Sequence, residues 1–134
     1  MNNIIQTIRH TARAATVLLL ALLAAQTAGA NDAATYIDMD GKTKTVAEYT
    51  EVTTDMTADE YGYIYWSSGT YVVKSSVTLN GCISFDYPAV IDLIVCDGAT
   101  LTVNGSSNGA FSGNTLNIYA QSNGTGMGAV NASR

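Results

Sequence analysis

Apolar and polar positions alternate most clearly between Ile91 and Asn104, where the chain reads IDLIVCDGATLTVN. Ile91, Leu93 and Val95 alternate with Asp92 and Ile94, and Leu101 and Val103 alternate with Thr102. A period of two puts one set of side chains on the buried face of a strand and the other set outside. Asp97-Gly98 separates the two runs. An Asp-Gly pair is a strong turn signal, because Gly tolerates positive φ and Asp bonds the backbone close to it. In isolation the stretch predicts a hairpin, but the pattern recurs. Leu116-Asn117-Ile118-Tyr119, a polar Gly-containing stretch and Met127-Gly128-Ala129-Val130 repeat it about 25 residues on. Val77-Thr78-Leu79 stands 24 residues before Leu101-Thr102-Val103. Self-similarity at a period of about 20–50 residues marks stacked repeats. The expected fold is all-β, a β-solenoid of about two to three coils.

The flanking segments read as follows. Tyr36 to Val46 holds Asp40-Gly41 between β-forming residues and predicts an N-terminal hairpin. A calcium loop at Asp38, Asp40 and Gly41 is disfavoured, because neither a third ligand before Gly nor a downstream bidentate Glu is in register. Ala47 to Glu60 is a polar connector without helical periodicity. Tyr61 to Lys74, YGYIYWSSGTYVVK, is the most aromatic segment. As a strand it puts Tyr61, Tyr63 and Tyr65 on one face and Ile64 and Trp66 on the other. Those rings are expected to cap the open end of the stack, with Trp66 inside; a platform for stacking sugar rings is the functional alternative. Pro88, the only proline, belongs in a corner, where no ladder donor is lost.

Composition adds an address. Arg9, His10 and Arg13 precede an apolar run from Ala14 to Ala25, and Ala28-Gly29-Ala30 offers small residues before a cut. This is the layout of a secretory signal peptide removed after Ala30, since the apolar run is too short for a membrane span. Residues 1–30 are thus the expected leader, 31–60 the hairpin and connector, and 61–134 the aromatic cap and first coils. After the leader, Lys42, Lys44, Lys74 and Arg134 face eleven acidic residues. That balance argues against nucleic acid as a partner. The sole His is in the leader, which removes His-based acid–base, nucleophilic and zinc chemistry from the mature chain. No cofactor or metal is expected.

WSSGTYVV at 66–73, VTLNG at 77–81, DLIVCDGATLTVNG at 92–105 and LNIYAQSNGTGMGAV at 116–130 together resemble the opening coils of exported bacterial cell-surface β-helix proteins. The resemblance runs from about Tyr36 to Val130. It implies a right-handed parallel β-helix used as an adhesin-like surface scaffold. It carries no catalytic residues to transfer. A stack of this length is short of the three or more repeats plus caps that solenoids usually need. Its open C-terminal coil is expected either to continue in a longer reading frame or to pair with another chain.

Three groups remain as candidates. Cys82 and Cys96 are the only thiols, and in an exported protein they form either a disulfide or two small buried apolar positions. Asp86, Asp92 and Asp97 are the only acids of the coils, too few and too isolated to suggest catalysis. Tyr61, Tyr63, Tyr65 and Tyr119 are the expected contacts to an extracellular glycan or host surface. The reading is a non-catalytic secreted or surface scaffold. The alternative is the N-terminal part of a β-helical polysaccharide lyase or glycoside hydrolase.

Overall fold

A computed structural model describes residues 32–134. The leader expected at 1–30 lies outside the described residues. Among the described residues every regular element is a strand, and the sheets beyond the first hairpin are parallel. The hairpin is β1 (Ala34–Ile37) with β2 (Thr43–Val46), paired antiparallel. Its turn uses Asp38, whose Oδ1 accepts from the Asp40 and Lys42 N–H groups at 3.0 and 2.8 Å, with Gly41 at φ 76°. Ten further strands follow: β3 (Thr50–Glu51), β4 (Tyr63–Trp66), β5 (Gly69–Val73), β6 (Val77–Asn80), β7 (Cys82–Phe85), β8 (Val90–Val95), β9 (Thr100–Asn104), β10 (Phe111–Ser112), β11 (Thr115–Ala120) and β12 (Ala129–Ser133). They form three sheets in the orders β10-β7-β4, β11-β8-β5-β3 and β12-β9-β6.

The stretch from Ile91 to Asn104 is therefore not a hairpin. β8 and β9 join different sheets, and Asp97-Gly98 turns a corner between them. Each strand instead lies on its counterpart from the preceding layer. Val77 pairs with Leu101 and Leu79 with Val103, at the offset of 24 read from the repeat. Leu116 pairs with Ile91 and Ile118 with Leu93, at an offset of 25. Val130 pairs with Leu101, 29 positions apart, the extra length falling in the Gly-rich corner before β12.

Stacking like on like fills the interior with aliphatic rows. Leu79, Ile83, Ile91, Leu93, Leu101 and Val103 are all essentially fully buried, and no polar or charged residue is buried among the described residues. At the start of the core Trp66 stacks on Tyr71, ring centroids 4.1 Å apart and planes within 5°. The Tyr71 hydroxyl donates to the Ser67 carbonyl at 3.2 Å and accepts from the Ser67 N–H at 3.1 Å. Trp66 Nε1 is the one buried side-chain polar atom without a partner among the described residues. Gly113 sits so close over the Phe85 ring that a Cβ there would overlap it.

Two covers differ from the sequence expectation. The floor of the core is closed by the connector rather than by the tyrosines. β3 pairs parallel with β5, Val52 is 2% exposed, and Met56 and Ala58 pack on the same core. The second cover is the hairpin. Val72 and Ile94 point out of the β11-β8-β5-β3 sheet by alternation, yet they are buried with Ala34. Tyr36, Val46, Tyr49 and Tyr119 pack around them. A strand covered on both faces loses clean alternation, which is why β5 ends Val72-Val73 and β8 ends Ile94-Val95.

Outside, polar ladders follow the same register. Asn104 Nδ2 donates to Asn80 Oδ1 at 2.8 Å, and Asn117 Nδ2 donates to Asp92 Oδ1 at 2.8 Å. Corner hydroxyls tie layers as well: Ser76 Oγ accepts from Thr100 N–H and Ser68 Oγ from Val90 N–H.

Removing one interior aliphatic should therefore cost far more than removing its outward neighbour. Leu101→Ala is expected to lower unfolding free energy by about 2–5 kcal/mol, and Thr102→Ala by no more than about 0.5 kcal/mol. Urea denaturation of the two variants checks this.

Candidate functional site

The predicted ligand-contact tyrosines separate into two places. Tyr63 and Tyr65 lie on β4 with ring centroids 6.0 Å apart, and Tyr61 stands two positions before that strand begins. Tyr61 and Tyr65 are 72% and 62% exposed, so neither closes the end of the core. Ile64 and Trp66, between and after them, are buried as alternation requires. Tyr119 is not part of this cluster. It lies on β11 under the hairpin, its ring tilted against Tyr36 at 4.9 Å, in the second apolar cluster.

On β4 Tyr65 is exposed and Tyr63 half-buried. Asp59 Oδ1 accepts from the backbone N–H of Tyr63 and of Tyr61, each at 2.9 Å. Those bonds, Tyr63's foremost, keep the Asp59 carboxyl below its ordinary pKa. Partial desolvation, together with the negative Asp59 carboxylate nearby, raises the pKa of the Tyr65 phenol. The Tyr63 hydroxyl accepts from Asn108 Nδ2, reaching back from a turn 45 residues later. Asp59 thus fixes the backbone leading into β4, and Asn108 fixes the Tyr63 ring. An Asp two positions before an alternating Tyr series is a legible turn signal; the reach of Asn108 across layers has none.

Tyr65 stands between two clefts. One, of about 370 Å³, is lined with Thr50, Asp55, Thr57, Trp66 and Tyr71. The other, of about 270 Å³, is lined with Ser67, Ser68, Asp86, Tyr87 and Pro88, and Tyr87 is 80% exposed. Each cleft joins an aromatic face to a carboxylate and hydroxyls. That combination offers stacking to a flat apolar face and both donors and acceptors to hydroxyl groups.

The remaining candidates do not converge. Cys82 and Cys96 are free thiols, so the disulfide alternative does not hold in this structure. They belong to different parts of the stack. Cys82 is fully buried on β7, and Cys96 follows β8, packing against both the core and the hairpin cluster. Burial raises the pKa of each; at Cys96 the nearby Lys74 partly offsets it. Asp92 is spent on Asn117, and Lys74 is paired with Glu51 at 3.5 Å beneath the Tyr49 ring. Among the described residues no three acidic, His or Cys side chains cluster as metal ligands would. No helix among them is long and apolar enough to cross a membrane.

Comparison of the chain with protein families, with curated proteins and with solved structures finds no match.

Two outcomes follow for this region. The native protein should carry two titratable thiols without reductant; Cys82 should react with a thiol reagent only on unfolding, and Cys96 slowly before it. Asp59 has a depressed folded pKa, so what it adds to the turn is fully present above the ordinary carboxylate pKa. That contribution is lost only as pH falls through the lowered value. An NMR titration should place the Asp59 midpoint below an ordinary Asp, with the Tyr65 ring resonances moving over the same step.

Proposed function

We propose that the described strands are the opening coils of a right-handed parallel β-helix, and that the protein is an exported, non-catalytic surface scaffold contacting glycans through Tyr63 and Tyr65. The observation that carries this reading is the pair of neighbouring rings on β4, Tyr63 held at its hydroxyl by Asn108 and at its backbone by Asp59, with the exposed Tyr65 beside it. A surface aromatic ordinarily lacks such fixing. A ring held in place loses little further freedom when it stacks on a ligand, which favours binding. The successive parallel register, the polar outer ladders and the layered corners support the coil reading. The leader and the motif order from Trp66 to Val130 support the surface assignment.

The flanking clefts narrow the ligand. Asp55 on one side of Tyr65 and Asp86 on the other present acceptors to sugar hydroxyls and repel carboxylate or sulfate. The eleven acidic residues against four cations after the leader act in the same direction. The expected ligand is a neutral, hydroxyl-rich glycan.

A glycan array probed with the purified protein should select neutral over uronic-acid-containing or sulfated chains. Tyr65→Ala should weaken the selected interaction by roughly five- to tenfold, the worth of one aromatic stacking contact, whereas Tyr119→Phe should leave it unchanged. Equal binding to acidic chains, or indifference to Tyr65→Ala, would remove the glycan assignment.

A further inference from the structure

Strand β4 is the free edge of its sheet, in the order β10-β7-β4. The chain before it supplies no further strand to that sheet, and the connector lies beside it across a cleft. In a parallel pair every second residue turns its N–H and C=O to the neighbour, and those between turn theirs away. The Cys82 N–H donates to the Gly62 carbonyl, so Ile64 and Trp66 face β7, while Tyr63, Tyr65 and Ser67 face the edge. Two of those three are closed within the molecule. Tyr63 exchanges both groups with Asp59, whose Oδ1 accepts from its N–H and whose own N–H donates to its carbonyl, each at 2.9 Å. Ser67 has both groups on the Tyr71 hydroxyl, at 3.1 and 3.2 Å. The Tyr65 N–H and C=O between them have no partner among the described residues.

That open pair stands at the cleft of about 370 Å³. Ile64, Tyr65 and Trp66 all line it. Consecutive strand residues point to opposite faces, so a cleft touching all three runs along the edge itself. Its inner part is apolar: Ile64, Trp66 and Tyr71 are buried and Met56 is half-buried. Thr50, Asp55 and Thr57, all exposed, add two hydroxyls and a carboxylate. Its volume is at the small end of the roughly 300–1,000 Å³ usual for ligand pockets, room for one pyranose rather than several.

We infer that this cleft is a subsite for a single 2-acetamido sugar, an inference that rests on the glycan reading and names the unit recognised. A secondary amide presents its N–H and C=O in opposite directions. It therefore needs an acceptor on one wall and a donor on the other. The Tyr65 carbonyl accepts from the acetamido N–H, and the Thr50 and Thr57 hydroxyls donate to its carbonyl from the far side. The methyl meets the apolar part, and the Tyr65 N–H is left for a ring hydroxyl. A plain hexose carries neither the amide nor the methyl, and a carboxylated sugar meets Asp55. A peptide also offers amides, but strand addition proceeds along an edge through alternate residues. Asp59 and the Tyr71 hydroxyl close the positions on either side of Tyr65, so one amide fits and a run of them does not.

The test compares three β-linked trimers that differ only at the second carbon: triacetylchitotriose with an acetamido group, chitotriose with an amine and cellotriose with a hydroxyl. Trp66, the only tryptophan, lines the cleft and reports binding by its fluorescence. The acetylated trimer should bind roughly tenfold or more tightly than either of the others, the worth of two hydrogen bonds and a buried methyl. The Tyr65 amide proton should exchange quickly in the free protein and slowly with the acetylated trimer bound. The ladder-bonded amides of Ile64 and Trp66 should stay protected in both. Thr50→Val with Thr57→Val, at two exposed positions, should remove most of the preference, whereas Tyr65→Ala should weaken the acetylated trimer and cellotriose alike. No advantage over cellotriose or over the amine overturns the subsite and leaves the glycan reading standing. So does failure of every trimer where the array selects another neutral glycan. A double variant that keeps the preference, or a Tyr65 amide that stays fast in the complex, also overturns the subsite. Binding to no glycan at all overturns both.

Discussion

The register between successive layers is the constraint from which the other features follow. Parallel strands stacked at offsets of 24 and 25 put Leu101 on Val77 and Ile118 on Leu93, so each inward position need only match the one beneath it. No polar or charged residue is buried among the described residues, which makes a one-residue slip prohibitive: it would turn every aliphatic outward and bring Thr102 or Asp92 inside. The outward partners then fall into line. Asn104 meets Asn80 and Asn117 meets Asp92, and each such side-chain bond forms only in the correct register. The hydrophobic rows supply the driving force, while the polar ladders select among alternatives of nearly equal burial.

Two additions convert this stack into a molecule with distinct ends and sides. The connector folds under the core and closes it, and the hairpin lies against the outer face of one sheet, where Val72 and Ile94 would otherwise meet water. With one side covered and the floor sealed, the tyrosines on β4 stand on a firm base. Asp59 belongs to the connector and bonds the backbone N–H groups of Tyr61 and Tyr63. The segment that closes the core thus also sets the strand whose rings are proposed to meet a ligand, so stability and recognition share one loop.

Much of the strand layout could be read directly from the residues. Alternation located β8 and β9, the repeat paired them with β6 and β11, and Asp40-Gly41 marked the hairpin turn. What was not legible has a common physical origin. Val52, Met56 and Ala58 are apolar residues scattered through a polar connector, with no period to show that they share a surface; only the backbone path gathers them. Ile94 was read as outward, and it is outward, but its burial depends on a hairpin more than fifty residues earlier. Tyr119 looked like its fellow tyrosines because alternation describes a face, not what covers that face. The separation of Cys82 from Cys96 likewise reflects which sheet each strand joins, a property of corners rather than of spacing. At the tyrosines themselves, alternation placed Tyr63 and Tyr65 together, whereas Asn108 entered only through the third dimension.

The unequal offset before β12 has a bearing on how such a chain can change over time. Between Leu101 and Val130 the path is four or five residues longer than the spans that pair β11 with β8 and β9 with β6, yet the ladder from Thr100 to Asn104 remains unbroken. Strand length is rigidly specified, but corner length is elastic. Insertions can therefore accumulate at the bends, altering surface texture and reach, while the hydrocarbon rows inside never register that anything was added.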